Sequence, residues 1–94
     1  MITVVAKNIV KDNKIEEFKT LAEKLIKETL KEKGCIDYSL YEDSKNKNII
    51  TFIEKWEDMT VLKAHFKAPH FEEIVPQFKD MTEGGDINIY NKIK

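Results

Sequence analysis

Ile49-Ile50-Thr51-Phe52-Ile53-Glu54-Lys55-Trp56 decides the architecture. It is rich in β-branched and aromatic residues, which favours a strand. Alternation puts Ile50, Phe52, Glu54 and Trp56 on one face and Ile49, Thr51 and Ile53 on the other. Both faces carry large apolar side chains, so each must be covered. Asp58 then offers an N-cap for a helix whose apolar side is Met59, Leu62 and Phe66, with His65 three residues after Leu62. Pro69 breaks that helix and can start another. Residues 54–71 hold the only Trp, both His and one of the two Pro. The chemistry is expected there.

Toward the N-terminus, residues 35–43 read as the partner strand, with Ile36, Tyr38 and Leu40 on one face. The polar run Ser44 to Asn48 is the hairpin turn between them. Before it lies the most periodic segment of the chain: Ile15, Phe18, Ala22, Leu25, Ile26 and Thr29 recur at helical spacing. Asp12 or Asn13 is expected to cap this helix, with Asn13 and Glu16 forming a capping box. Gly34 ends it. Residues 2–10 are a nearly continuous β-branched strand in which Asn8 is the odd residue of an apolar face. Toward the C-terminus, Phe71, Ile74, Val75, Phe78 and Met81 mark a third helical segment that Pro76 kinks. Gly84-Gly85 is expected to stop it, and residues 86–93 form a last strand with Ile87, Ile89 and Ile93 on one face.

The order is strand, helix, strand, strand, helix, strand, with an extra helical segment before the last strand. It suits an α+β fold of the ferredoxin-like kind: a four-stranded antiparallel sheet with helices on one side. Residues 1–94 are expected to form one domain. A chain this short buries only roughly 60–65% of its unfolded surface. The helix-free face of the sheet therefore predicts a homodimer.

Composition narrows the partners. Net charge is −1, from 16 basic and 17 acidic residues, and all 16 basic residues are Lys. Nucleic-acid readers use Arg and a positive excess, so no nucleic-acid partner is expected. Nor is an anionic membrane surface. Cys35 is the only cysteine. It cannot form an intrachain disulfide or a thiolate zinc site, and it fits a reducing compartment. Met1–Ala6 is apolar but has no basic flank and is too short for a signal peptide, and no run approaches a membrane span. A cytoplasmic location is expected.

The residues resemble the antibiotic biosynthesis monooxygenase family, in particular its small single-domain, quinol-monooxygenase-like branch. The resemblance rests on Met1–Ala6, the turn Glu32-Lys33-Gly34-Cys35 with Tyr38, Ile53-Glu54-Lys55-Trp56-Glu57, and Leu62 with Ala64-His65-Phe66 and Pro69-His70-Phe71. It implies a dimeric α/β-barrel with a pocket between sheet and helices in each subunit. It also implies oxidation of a small aromatic diol or quinol by molecular oxygen without flavin or metal. The family also holds haem degraders and an isomerase-like enzyme acting on a phosphorylated sugar. Val75 stands where the haem-ligating His would be and His65 where those enzymes carry Trp, which speaks against haem. Phe52 stands where polyketide oxygenases carry Asn.

A cofactor-free oxygenase needs a base, an apolar pocket that excludes water and a group that stabilises an oxyanion. His65 is the candidate base. Trp56, with Phe52, Phe66 and Phe71, would form an aromatic wall. Asn8 could donate to the oxyanion, and Tyr38, Glu54 and His70 complete the candidate substrate-binding set. Each has a plainer reading. His65 could bond a strand carbonyl, His70 could tie down a helix start, Trp56 could be core or dimer interface, and Glu54 could pair with Lys. Cys35 reads as a small buried residue. His65, His70 and Glu54 do not have metal-ligand spacing, because Pro69 separates the two imidazoles. The rivals to an oxygenase are an oxygen-independent isomerase-type enzyme and a non-enzymatic stress-response dimer.

Overall fold

The computed structural model describes residues 1–94. Strands β1 (Ile2–Val10), β2 (Cys35–Glu42), β3 (Ile49–Trp56) and β4 (Thr82–Asn91) form one sheet in the order β2-β3-β1-β4. Every neighbouring pair is antiparallel. Helices α1 (Ile15–Thr29), α2 (Met59–Phe66) and α3 (Pro69–Ile74) follow the ferredoxin-like order, and a 3₁₀ stretch, Val75–Met81, continues from α3 to β4. No helix is long and apolar enough to cross a membrane.

Register explains which side chains meet under the helices. Tyr38 pairs with Glu54, Glu54 with Val4, and Val4 with Ile89, which makes one row across the sheet. Leu40, Phe52, Ala6 and Ile87 make the next. On this face Val4, Phe52, Glu54 and Trp56 are buried beneath Phe18, Ala22 and Leu25 of α1 and Leu62 of α2. Phe18 packs on Phe78 of the 3₁₀ stretch at 4.4 Å between centroids. On the opposite face Thr3, Val5, Ile49 and Ile53 are only half-buried, and no helix covers them.

Several local expectations are corrected. Asn13 does not cap α1. Asp12–Lys14 form a 3₁₀ turn, and α1 starts at Ile15 without a side-chain cap bond. The Asp12 carboxylate instead accepts from Asn48 Nδ2 of the hairpin at 2.7 Å. Ile36 does not share a face with Tyr38 and Leu40, because the register slips between Cys35 and Asp37 and leaves Ile36 in a bulge, exposed. Met59 does not join the apolar side of α2 and is exposed. Gly84-Gly85 lies inside β4 rather than before it. There a Cβ on Gly85 would fall 2.2 Å from the Lys7 carbonyl oxygen, so the strand approaches β1 where only glycine fits.

Gly34 does not end α1, which stops at Thr29 with Leu30 as its C-cap, but the other punctuation acts as expected. Asp58 caps α2 by accepting from Val61 N at 3.0 Å. Ala68 is extended ahead of Pro69, the first residue of α3. Pro76 has no N–H for a bond four residues back, and the backbone there tightens to 3₁₀. Gly34 takes φ +85°, and a Cβ on it would lie 2.6 Å from a Val61 methyl. Its carbonyl also accepts from Glu57 N at 2.9 Å. The turn after α1 is thereby pressed onto the start of α2.

Candidate functional site

That junction builds the site. Glu32 sits two residues before Gly34, and His65 lies on the last turn of α2. Pinning the turn to Val61 and Glu57 brings the Glu32 carboxylate to His65, with His65 Nδ1 2.7 Å from Glu32 Oε2. His70, on the first turn of α3, reaches the same oxygen through Nε2 at 2.6 Å. An ionised carboxylate only accepts, so both nitrogens carry the proton. The tautomers follow: His65 is protonated on Nδ1 and has a lone pair on Nε2.

His65 is fully buried. Its imidazole is held below the ordinary pKa range, first by burial; the Glu32 bond and charge oppose this, and His70 adds to it. Tyr38, Trp56 and Phe71 surround the ring at centroid distances of 5.3, 4.7 and 4.9 Å. Two buried side-chain polar atoms have no partner, Thr29 Oγ1 and His65 Nε2. An unmet buried acceptor costs about 1–3 kcal/mol, which an incoming hydroxyl can offset.

His65 forms part of the wall of a cavity of about 100 Å³ between the sheet and the helices. Its wall is mainly apolar and includes Phe52, Phe66, Phe71 and Phe78, with Tyr38, Glu54 and Asn8 as the other polar residues. Glu32 is not part of this wall and takes the Nδ1 edge of the His65 ring, which leaves Nε2 without a protein partner. A larger groove, about 740 Å³, runs outside α1 and β2, but it is open to solvent and lined mostly by polar and charged side chains.

Glu54 is the second titratable group in the cavity wall. It is 5% exposed, and its carboxylate accepts from Trp56 Nε1 at 2.9 Å. Burial pushes its pKa up to about 7, against the lowering effect of the indole bond; the Glu32 charge raises it further. Burial and the Glu54 charge likewise hold the Tyr38 phenol protonated. The Cys35 thiol is pushed up to about 11, first by burial and then by Glu32, and so has no thiolate character.

The expected site residues divide into those at the cavity and those behind it. His65, Asn8, Phe52, Glu54, Phe66, Phe71 and Tyr38 all line it. Trp56 does not: it is fully buried behind the wall and holds Glu54. His70 does not either, and instead holds Glu32. Asn8 is at the cavity but not as a free donor, since Nδ2 bonds the carbonyls of Ala6 and Ile50 at 3.2 and 3.3 Å. Glu54 pairs with an indole, not a Lys. The imidazoles separated by Pro69 do converge, on Glu32 rather than on Glu54, and their ligand-capable atoms lie within 4.8 Å of one another. Glu32 itself was not expected. It belongs to no periodic face, and its one signal was its place in the turn Glu32-Lys33-Gly34-Cys35.

Comparison with known proteins bears on the family and the fold. The family model for antibiotic biosynthesis monooxygenase matches residues 1–77. The chain is 33% identical over 81 residues to a Bacillus subtilis protein named "Putative monooxygenase YcnE", covering 86% of this chain and 85% of that one. It is 42% identical over 89 residues to the uncharacterised protein sll1783 of Synechocystis, where the match spans 93% of this chain and 60% of the relative. A crystal structure of a conserved protein from Methanosarcina mazei Go1 superposes with a TM-score of 0.95 at 47% identity, over 97% of this chain and 91% of that one. The chain therefore belongs to the antibiotic biosynthesis monooxygenase family.

Proposed function

We propose that residues 1–94 work as one domain that oxidises a small aromatic diol with molecular oxygen, with His65 as the base. The observation that carries this reading is the unpartnered Nε2 of a buried, neutral His65 whose other nitrogen is fixed by Glu32. A phenol O–H in the cavity would give its proton to Nε2. The phenolate then passes one electron to oxygen, and the radical pair combines at a ring carbon to a hydroperoxide. Loss of water leaves a hydroxyquinone, so diol plus oxygen gives hydroxyquinone plus water. A deprotonated dihydric phenol supplies the electrons itself, and the reading calls for no cofactor. Glu54, when protonated, would be the donor to the developing oxyanion, with Trp56 positioning it. Apolar cavities of roughly 150 Å³ accept one benzene ring. A cavity of about 100 Å³ is smaller than that, so even a single-ring diol would need exposed Phe66 to swing out, and a fused diol would need a wider opening still.

The test is oxygen uptake by chelator-treated, flavin-free protein given benzenediol or reduced naphthoquinone. No rate above background with either removes the substrate class. Equal rates for wild type and His65→Ala remove His65 as base. A second reading rests on Glu54: an acid with a pKa near neutrality, lining the same cavity as His65, suits a proton-shuttling isomerase. Turnover without oxygen favours it.

The same reading includes a homodimer in a reducing, cytoplasmic setting. Ile87 and Ile89 continue the helix-facing rows, yet they are 65% and 42% exposed. The opposite face has half-buried Val5, Ile49 and Ile53. A second copy is the simplest cover for both. Light scattering that finds a monomer in dilute solution refutes this part.

A further inference from the structure

We propose that Glu32, His65 and His70 are also a binding site for one divalent cation of the zinc class, and that its occupancy switches His65 off as a base. The switch rests on the role given to His65 above; the binding site does not.

The donor set is the first argument. Two imidazole nitrogens and a carboxylate oxygen converge from three separate segments, within 4.8 Å of one another. Zinc takes such N and O ligands at about 2.0–2.2 Å, which in a tetrahedron separates them by about 3.3 Å. The present separations of 2.7 and 2.6 Å are those of hydrogen bonds. Withdrawing the carboxylate by about half an ångström opens the space. Glu32 can make this change as a side-chain movement, because it stands on a turn and its side chain is 16% exposed. The two imidazole nitrogens, which lie within 4.8 Å of one another, must also come to about 3.3 Å, and the partly exposed His70 side chain is the one with room to turn.

Access and charge agree. The His70 side chain is 18% exposed, so a cation reaches the cluster from the surface without crossing the apolar cavity. Both nitrogens facing Glu32 now carry protons, and a cation would replace these two protons with a single ion held by the same three groups. Three protein ligands leave a fourth position for water.

The consequence for the base follows from the tautomer. With a cation on Nδ1, a neutral His65 must carry its proton on Nε2. The cavity then faces an N–H donor where it had a lone pair. The cation therefore blocks proton abstraction without entering the cavity.

The experiment uses the ¹⁵N-labelled chain, stripped of metal and titrated with Zn²⁺ alone. Imidazole NMR reports which nitrogen of each ring is protonated. One equivalent of Zn²⁺ per chain should move the His65 proton from Nδ1 to Nε2 and the His70 proton from Nε2 to Nδ1. Unchanged tautomers at saturating Zn²⁺ overturn the site. Affinity should fall at least roughly 100-fold in Glu32→Gln and in His70→Asn, since even outer partners of a metal site contribute 10–100-fold. Undiminished affinity in both, each shown to be folded by its NMR spectrum, also overturns it. Zn²⁺ should slow diol-dependent oxygen uptake by the wild type. His70→Asn, measured against its own metal-free rate, should resist at the same concentration. Binding with the tautomer shift but without inhibition overturns the switch. A protein that turns over no diol at all fails the reading of function, while the tautomer measurement still decides the site.

Discussion

Two carboxylates stand at the site, and their surroundings set them apart. Glu54 belongs to β3, is almost fully buried, and accepts from one indole N–H. Glu32 belongs to a turn, keeps some exposure, and accepts from two imidazoles through one oxygen. Glu54 faces the cavity and Glu32 does not. In the first case burial outweighs a single neutral donor, and the carboxyl rises toward neutrality as a proton source. In the second the carboxylate fixes the Nδ1 edge of His65, the proposed base, and stays out of the cavity wall. The residue type is shared; the number of donors and the element that carries each residue decide what it can do.

The largest effect expected from breaking this division is on turnover. Positioned general bases contribute roughly 10²–10⁴-fold, so His65→Ala should lose about that much in kcat/KM for a diol. Glu32→Gln removes the acceptor that fixes the His65 tautomer and should lose activity too. Glu54→Gln keeps an acceptor for Trp56 and should lose less. If Glu54→Gln were the more damaging substitution, the division of labour would be reversed and the isomerase-like reading would gain.

These two residues also mark how far the sequence could be read. Alternation in Ile49–Trp56 placed Glu54 on the buried face together with Phe52 and Trp56, and helical spacing placed His65 next to Leu62. The sheet and its helices were legible because period-2 and period-3.6 patterns record which face is buried. Glu32 was not legible, because a turn residue has no periodic face; its place depends on Gly34 meeting Val61, a contact between segments far apart in the chain. The role of Trp56 was misplaced for a related reason. Rarity marked it as important, but only its indole bond to Glu54 and its edge contact with Tyr38 show that it supports the wall from behind. Ile36 and Gly84-Gly85 failed where a bulge and a close strand approach override simple alternation.

The next effect is on stability and pH. Glu54 has an ordinary pKa of 4.5 and rises to about 7 in the folded chain. Below pH 4.5 it is protonated folded or unfolded, and it contributes no penalty. Between 4.5 and 7 the unfolded chain releases the proton first, so the fold loses stability as pH rises, and the loss is complete above about 7. The rise corresponds to at most about 3 kcal/mol. Glu54→Gln should therefore be nearly neutral at pH 4.5 and stabilising by up to that amount at pH 8, by urea denaturation at both pH values. His65 slopes the other way, since its lowered pKa removes stability as pH falls below its ordinary range. The difference between the two proteins isolates Glu54. Equal curves would mean that water reaches the carboxylate.

Trp56→Phe sharpens the same point on a smaller scale. It removes the one donor to Glu54 and leaves the ring-sized gap about the same at all pH values. Losing a hydrogen bond to a buried charged group costs about 1–3 kcal/mol, more than losing one to the neutral acid. The variant should thus be more destabilised at pH 8 than at pH 5, the opposite of the behaviour of Glu54→Gln. A pH-independent loss would assign Trp56 to packing alone.

The smallest effect separates the helix from the turn as the support of His65. Asp58 caps α2 through Val61 N, one helical turn before His65, and touches neither carboxylate. Asp58→Ala should lower stability by about 1 kcal/mol, the usual value of an N-cap. Because Glu32 and the Gly34–Val61 contact hold the ring from the other side, kcat/KM should change little, well below what Glu32→Gln takes away. Should the cap variant lose as much activity as Glu32→Gln while remaining folded at the assay temperature, the helix start would be what aims His65. Glu32 would then be a bystander to the base, and its two imidazole bonds a matter of stability alone.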